Sequence, residues 1–188
     1  LALAIVIFKF LPFGGASLAS WFVGGIESGI VFNIVEGGIK IVILLLYLYL
    51  ISLMPDIFRV FQYHGAEHKT IRCYEQKKPL TVKNVKACSR FHPRCGTSFV
   101  IFVVLLSIIL YTFIPHQWDF WTKFAWRIVL LPVLAGVSYE LLRFSAKREH
   151  SLLFKLISAP GLWTQRITTK EPDAEQIQVG IKSLKVSL

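Results

Sequence analysis

Ile41-Val42-Ile43-Leu44-Leu45-Leu46-Tyr47-Leu48-Tyr49-Leu50 decides the fold class. These ten uncharged residues sit in a longer, mainly apolar run, Ile39–Ile57. About 20 such residues cross the hydrocarbon core of a bilayer as one helix. Pro55 is expected to kink the end of that helix rather than stop it. Downstream, Thr97–Ile114 reads as a second span, almost wholly aliphatic between Val100 and Ile109. Phe124–Phe144 reads as a third, although it carries Arg127 and Glu140. Upstream, residues 13–38 are apolar and glycine-rich, with Glu27 and Glu36 inside and a Gly25-x-x-x-Gly29 spacing that suits close helix packing. They read as a re-entrant or surface-lying segment. Residues 1–12 read as the end of a spanning helix. The start at Leu1, without Met, marks the chain as an expected fragment lacking an N-terminal portion.

Composition agrees with this reading. The 188 residues are 54% hydrophobic, 14% aromatic and 17% charged, and the mean hydropathy is +0.58. Soluble domains carry about 25% charge. Disordered chains are poor in apolar and aromatic residues, so disorder is excluded and an integral membrane protein is implied. The net charge is nevertheless +10. Nine Lys/Arg fall between Arg59 and Arg94 and eight between Arg143 and Lys185, so two segments hold 17 of the 21. The positive-inside rule puts both in the cytosol. Trp118, Trp121 and Trp126 flank the short loop on the other side, as an interfacial aromatic belt does.

The expected architecture is therefore all-α, a polytopic membrane protein with three to four spanning helices and a re-entrant or interfacial segment. It forms one membrane domain over 1–188, with a basic cytosolic loop at 58–96 and a cytosolic tail at 145–188. Within the loop, helix is expected from Asp56 to about Glu75. Thr81 is expected to cap a short helix running to about Phe91. Leu152–Leu162 is too short to span and reads as an interfacial helix. Past Pro172, Ile177, Ile181 and Leu184 stand at helical spacing.

The chemistry concentrates in the loop. His64-Gly65-Ala66-Glu67-His68 is an H-x-x-E-H. On a helix, residues i and i+4 lie about 40° apart, so both imidazoles face one point and supply half of a zinc site. Glu67 then flanks the ion as a general base, the arrangement of inverzincin proteases. His92-Pro93-Arg94-Cys95 offers an H-x-x-C pair that can bite the same ion. Glu140, near the cytosolic end of a span, is a further candidate ligand. Plainer roles compete. The two histidines can bond backbone carbonyls or lipid phosphates, Glu67 can pair with Lys69 or Arg72, and Glu140 can pair with Arg143 one turn on. Cys73, Cys88 and Cys95 all fall in this loop, where cytosolic thiols stay reduced.

Phe61-Gln62-Tyr63-His64-Gly65-Ala66-Glu67-His68-Lys69-Thr70-Ile71 resembles the hallmark of the YqhQ family. So do His92-Pro93-Arg94-Cys95-Gly96-Thr97-Ser98-Phe99, Ala159-Pro160-Gly161-Leu162-Trp163 and Thr168-Thr169-Lys170-Glu171-Pro172-Asp173. The likeness runs from about Asn33 to Leu188. It implies a protein of the bacterial cytoplasmic (inner) membrane. The family's label, predicted metal-dependent enzyme, implies a metal at His64, Glu67 and His68, and one site built from several motifs.

Two functions follow as expectations. In the first, zinc or another divalent metal is held by His64 and His68, completed by His92, Cys95 or Glu140, and Glu67 is the catalytic base of a hydrolase acting on membrane lipid or membrane-proximal substrates. In the second, the basic cytosolic face docks an acidic partner, such as a ribosome, a translocon complex or anionic lipid, and the polar cluster is structural. An open coordination position favours the first and a closed four-ligand shell the second.

Overall fold

The computed structural model describes residues 7, 11–23, 29–115, 117–147 and 151–188. Those residues form helices joined by turns, with no strand among them. In chain order the helices are α1 (Leu11–Val23), α2 (Gly29–Ser52), α3 (Pro55–Glu75), α4 (Val82–Lys86) and α5 (Gly96–Tyr111). They continue as α6 (Phe120–Val129), α7 (Leu131–Lys147), α8 (Leu152–Thr168) and α9 (Ala174–Ser187). The readings that fell on Glu27, on the Gly25-x-x-x-Gly29 spacing and on most of residues 1–12 lie outside the described residues.

Among the described residues, one helix, over Ile30–Ser52, is long and apolar enough to cross a membrane. Its outward side chains, among them Ile34, Val42, Leu46 and Leu50, are not covered by protein. Two further helices, Trp121–Val129 and Leu131–Ser145, pass the same test together but are bent by 40° at their break. α5 has 16 residues, about 24 Å at 1.5 Å per residue, short of a 30 Å core.

Three expectations change. Residues 29–38, expected to lie re-entrant or on the surface, are the first turns of α2. Pro55 does not kink a continuous helix. α2 ends at Ser52, and Pro55 opens α3 in its first turn, where a missing N–H costs nothing and φ is already helical. The helix capped by Thr81 stops at Lys86 rather than near Phe91, although the Thr81 hydroxyl does accept from Asn84 N at 3.3 Å.

The chain groups into two compact units, residues 1–47 with 99–144 and residues 48–98 with 145–188. In the first, Gly37 lies against the Ile108 side chain and Gly15 against Ile39, so small residues let helices approach closely. Buried there is Glu36. Lys40 Nζ reaches one of its carboxylate oxygens at 2.6 Å, and Arg127 grips both, at 3.1 and 3.2 Å. Arg127 also lies over the Tyr111 ring and donates to Asn33.

The second unit is built on α3. Ala66, Thr70 and Cys73 share one buried face of that helix. Ala66 and Cys73 form a core with Val85, Cys88, Ile177 and Ile181. Gly180 of α9 sits close against Thr70 and Ala66. α9 itself starts in a full capping box between Asp173 and Gln176. The other end of α3 is finished by a Schellman pair, Lys77 N to Tyr74 O and Lys78 N to Cys73 O. Lys77 occupies the left-handed position, φ 55°, that glycine usually fills.

Candidate metal centre

With Ala66, Thr70 and Cys73 turned into the core, helical geometry puts His64, His68, Ile71 and Glu75 on the opposite stripe of α3. Each histidine is oriented by its Nδ1. That of His64 lies 2.8 Å from the carbonyl of Thr168, the last residue of α8, and that of His68 lies 2.6 Å from the Arg90 carbonyl. Carbonyls only accept, so both Nδ1 atoms carry protons. In the neutral imidazoles the lone pair is then on Nε2, the usual way a backbone partner prepares a histidine ligand.

Both rings turn toward Cys95, which immediately precedes α5. His64 Nε2 is 3.3 Å from Cys95 Sγ, and the His64 and His68 ring centroids are 4.3 Å apart. The three donor atoms of His64, His68 and Cys95 all lie within 4.8 Å of one another. Burial works to raise the Cys95 thiol, but hydrogen bonds from His64, His68 and Thr97 outweigh it and bring it down to about 5. Burial also opposes a charge on His64. Its contacts with Cys95 and the Thr168 carbonyl outweigh that and raise it, and a cationic ring at the C-terminus of α8 also suits the helix dipole. Both shifts favour the charge-separated form of the pair, a thiolate beside an imidazolium. Two imidazoles and a thiolate are a donor set that zinc accepts, so the residues present fit a divalent ion.

Two glycines make this convergence possible. A Cβ on Gly65 would strike the Lys170 carbonyl, so only glycine lets residues 168–171 lie against α3 and bring Thr168 O to His64. The approach is fixed by Lys170 N bonding Phe61 O at 2.9 Å. On the other side, a Cβ on Gly161 would meet Ser98. Here the fully buried Gln165 donates to His92 O and Ser98 Oγ and accepts from His92 N, at 2.7, 3.0 and 2.9 Å. That amide fixes the 92–98 turn, and hence Cys95, to α8.

Not every candidate joins the group. His92 is buried beside His68, with ring centroids 5.8 Å apart, but its Nε2 donates to Glu75 at 3.0 Å and its Nδ1 accepts from Arg94 N at 3.2 Å. Burial pushes it down despite Glu75, so it stays neutral with both nitrogens engaged. Glu140 is not among the three donors. It is exposed and pairs with Arg143 at 3.7 Å. Glu67 is exposed and lines a hollow of about 300 Å³ together with His64, His68, His92, Arg94 and Cys95. Lys69, one suggested partner for Glu67, instead holds Glu171 at 2.9 Å and the Lys86 carbonyl at 3.0 Å.

Glu75, which ties His92 and Arg94 together, escaped the sequence reading. Its signal was its spacing, seven residues after His68 on the same stripe. The carbonyls of Thr168 and Arg90 carry no signal in sequence.

Similarity to known proteins bears on the whole chain. It is 46% identical over 149 residues to "Uncharacterized protein YqhQ" of Bacillus subtilis (strain 168), a match covering 79% of this chain and 46% of that protein. The chain thus spans about half the length of the curated relative it matches. No solved structure matches. A family model described as "Protein of unknown function (DUF1385)" matches residues 1–188, and the chain belongs to that family.

Proposed function

We propose that this chain is a membrane-embedded, metal-dependent hydrolase in which His64, His68 and Cys95 hold the ion and Glu67 is the general base. The observation that carries this is the number of donors. Three converge, and Glu67 lines the hollow beside them. Three protein ligands with an open side is the plan of catalytic zinc sites, whereas structural sites close with four. A divalent ion there supplies electrophilic polarisation of water and of the substrate carbonyl.

The residues of the chain do the rest. Nδ1 bonds to Thr168 and Arg90 hold the imidazoles in register. The carboxylate of Glu67 takes a proton from water as its oxygen attacks the carbonyl carbon. It returns that proton to the leaving oxygen or nitrogen as the old bond breaks, giving an acid and an alcohol or amine. Such proton transfer is typically worth about 10² to 10⁴ in rate. At the rim of the hollow the Glu75 carboxylate pairs with Arg94 and His92.

The charge distribution supports three to four spans in a bacterial inner membrane, with 58–96 and 145–188 cytosolic. A second reading, docking of an acidic partner such as a ribosome, translocon complex or anionic lipid, draws on the exposed Lys77, Lys78, Lys83 and Lys86 of the second unit.

Glu67→Gln separates the two. It keeps size and hydrogen-bonding reach but accepts no proton. Purified protein should carry about one zinc or similar ion per chain. Glu67→Gln should keep that ion and the fold yet fail to complement a loss-of-function strain. Full complementation with the ion retained moves the docking reading to first place.

A further inference from the structure

Glu67 and Ile71 line both of two neighbouring hollows. One is the polar hollow of the candidate metal centre. The other, of about 320 Å³, lies between α3 and α9 and is lined by Tyr63, Ile71, Val179 and Leu184, with Ser183 at its outer side. Tyr63, Glu67 and Ile71 follow one another at i, i+4 and i+8 along α3. Val179, Ser183 and Ser187 do the same along α9. The second hollow is therefore a groove running with the helix axes, about 12 Å from Tyr63 to Ile71 by helical rise. The close seat of Gly180 on Thr70 and Ala66 holds its two walls together.

The lining says what the groove takes. Apart from Glu67 at its edge, no lining residue is charged, so nothing there answers a phosphate or a peptide carboxylate. Its walls are mainly apolar, from Ile71, Val179, Leu184 and the Tyr63 ring, with the hydroxyls of Thr70, Ser183 and Ser187 among them, and Val179 remains 52% exposed. An elongated, mainly apolar slot meeting a polar hollow at a general base fits a substrate with a chain at one end and a reactive linkage at the other. An apolar track leads to it. Val60 and Tyr63 lie on the flank of α3 that carries Glu67, at i, i+3 and i+7, and both are exposed. Before them come the exposed Leu53 and Met54, which directly follow the spanning helix.

Building on the hydrolase reading, we infer that the α3–α9 groove seats the acyl chain of a membrane amphiphile, with its ester or amide linkage in the hollow beside Glu67, His64 and His68. Hydrolysis there adds water across that linkage and releases a fatty acid and a polar alcohol or amine. The bilayer is the source of the chain.

The test uses the full chain, zinc-supplied, in lipid nanodiscs doped with a phospholipid bearing a diazirine on one acyl chain. On irradiation, peptides containing residues 63–71 and 179–187 should be labelled well above the 82–91 peptide, whose lysines face solvent. Ser183→Trp, at an exposed position, should cut that labelling at least tenfold while labelling of the spanning helix persists. Val179→Asp should do the same by charge rather than bulk. Labelling no stronger than at 82–91, or unchanged in both variants, overturns the inference.

With p-nitrophenyl esters from acetate to decanoate, kcat/KM should rise about fourfold per methylene while the groove fills, and Ser183→Trp should flatten that slope. A flat slope in the wild type also overturns it. Groove labelling without cleavage of any ester keeps the acyl seat and removes the hydrolase.

Discussion

Two buried polar clusters, one in each unit, solve opposite problems. In the first unit Glu36, Lys40 and Arg127 close on themselves, and the carboxylate is gripped from both sides. Both of its oxygens are taken by cations of the same chain. In the second, His64, His68 and Cys95 have each spent one valence on the scaffold, at Thr168 O, Arg90 O and Thr97 Oγ1. They turn the remaining one toward each other. The difference lies in where neutralisation comes from. Glu36 is neutralised by its own chain, so the cluster serves the fold. The sulfur and imidazoles of the second cluster could be completed by a cation from outside. A closed cluster should fail structurally when broken, and an open one should fail functionally.

The largest effect should be at the open cluster. His68→Ala or Cys95→Ser should reduce bound metal from about one ion per chain to none by elemental analysis. The metal-free fold, read by circular dichroism, should hardly change. Collapse of the helical signal in either variant would make the second cluster as structural as the first. Next is the thiolate itself. Cys95 is depressed from 9.0 to about 5, so its charged form persists down to about pH 5, while the stability it contributes is complete above pH 9.0, declines as pH falls below that, and is lost as pH falls through about 5. The ultraviolet thiolate band, taken as the difference from Cys95→Ser in metal-free protein, should titrate near pH 5. A midpoint in the ordinary thiol range would mean that the histidines do not face the sulfur.

The closed cluster comes third. Glu36→Ala strands two buried cations and should cost about 3–5 kcal/mol, read as an earlier midpoint in dodecyl sulfate unfolding from mixed micelles, with metal content unchanged. Fourth, Gly65→Ala forces the Lys170 carbonyl away and with it the Thr168 acceptor of His64. Loss of such an orienting partner typically weakens metal binding about 10- to 100-fold, measurable by competition with a chromophoric chelator. The smallest effect is at Lys77. Glycine removes the cost of a left-handed side chain, and Lys77→Gly should stabilise the second unit by up to about 1 kcal/mol, seen as a small rise in melting temperature without change in metal affinity.

The legible parts of this molecule share a physical trait. Ile41 to Leu50 announces a helix because apolarity over that length has few other solutions. Thr81 and Ile177/Ile181 announce a cap and an amphipathic face because both signals are local. His64 and His68 were legible for the same reason, being one turn apart. Cys95 was found as one of several possible completions, and only tertiary packing separates it from His92, three residues earlier, whose nitrogens go to Glu75 and Arg94. The end of α2 was misplaced because the break at residues 53–54 depends on where Pro55 starts a new helix, which apolarity does not report. The groove beside Glu67 was invisible because it exists only when α9 lies on α3.

The bond between His64 and Thr168 joins residues 104 apart in sequence. At about 5–20 residues per second of synthesis, His64 emerges roughly 5–20 s before its acceptor exists. Throughout that interval His64 lacks its orienting carbonyl, while His68 already has its own acceptor, Arg90 O, in the chain before Cys95 is made. The nascent chain therefore passes through a period in which the three-residue cluster is incomplete, and one late glycine-dependent docking event ends it. A metal ion bound through an oriented His64 would have to be captured after residues 168–171 dock over Gly65.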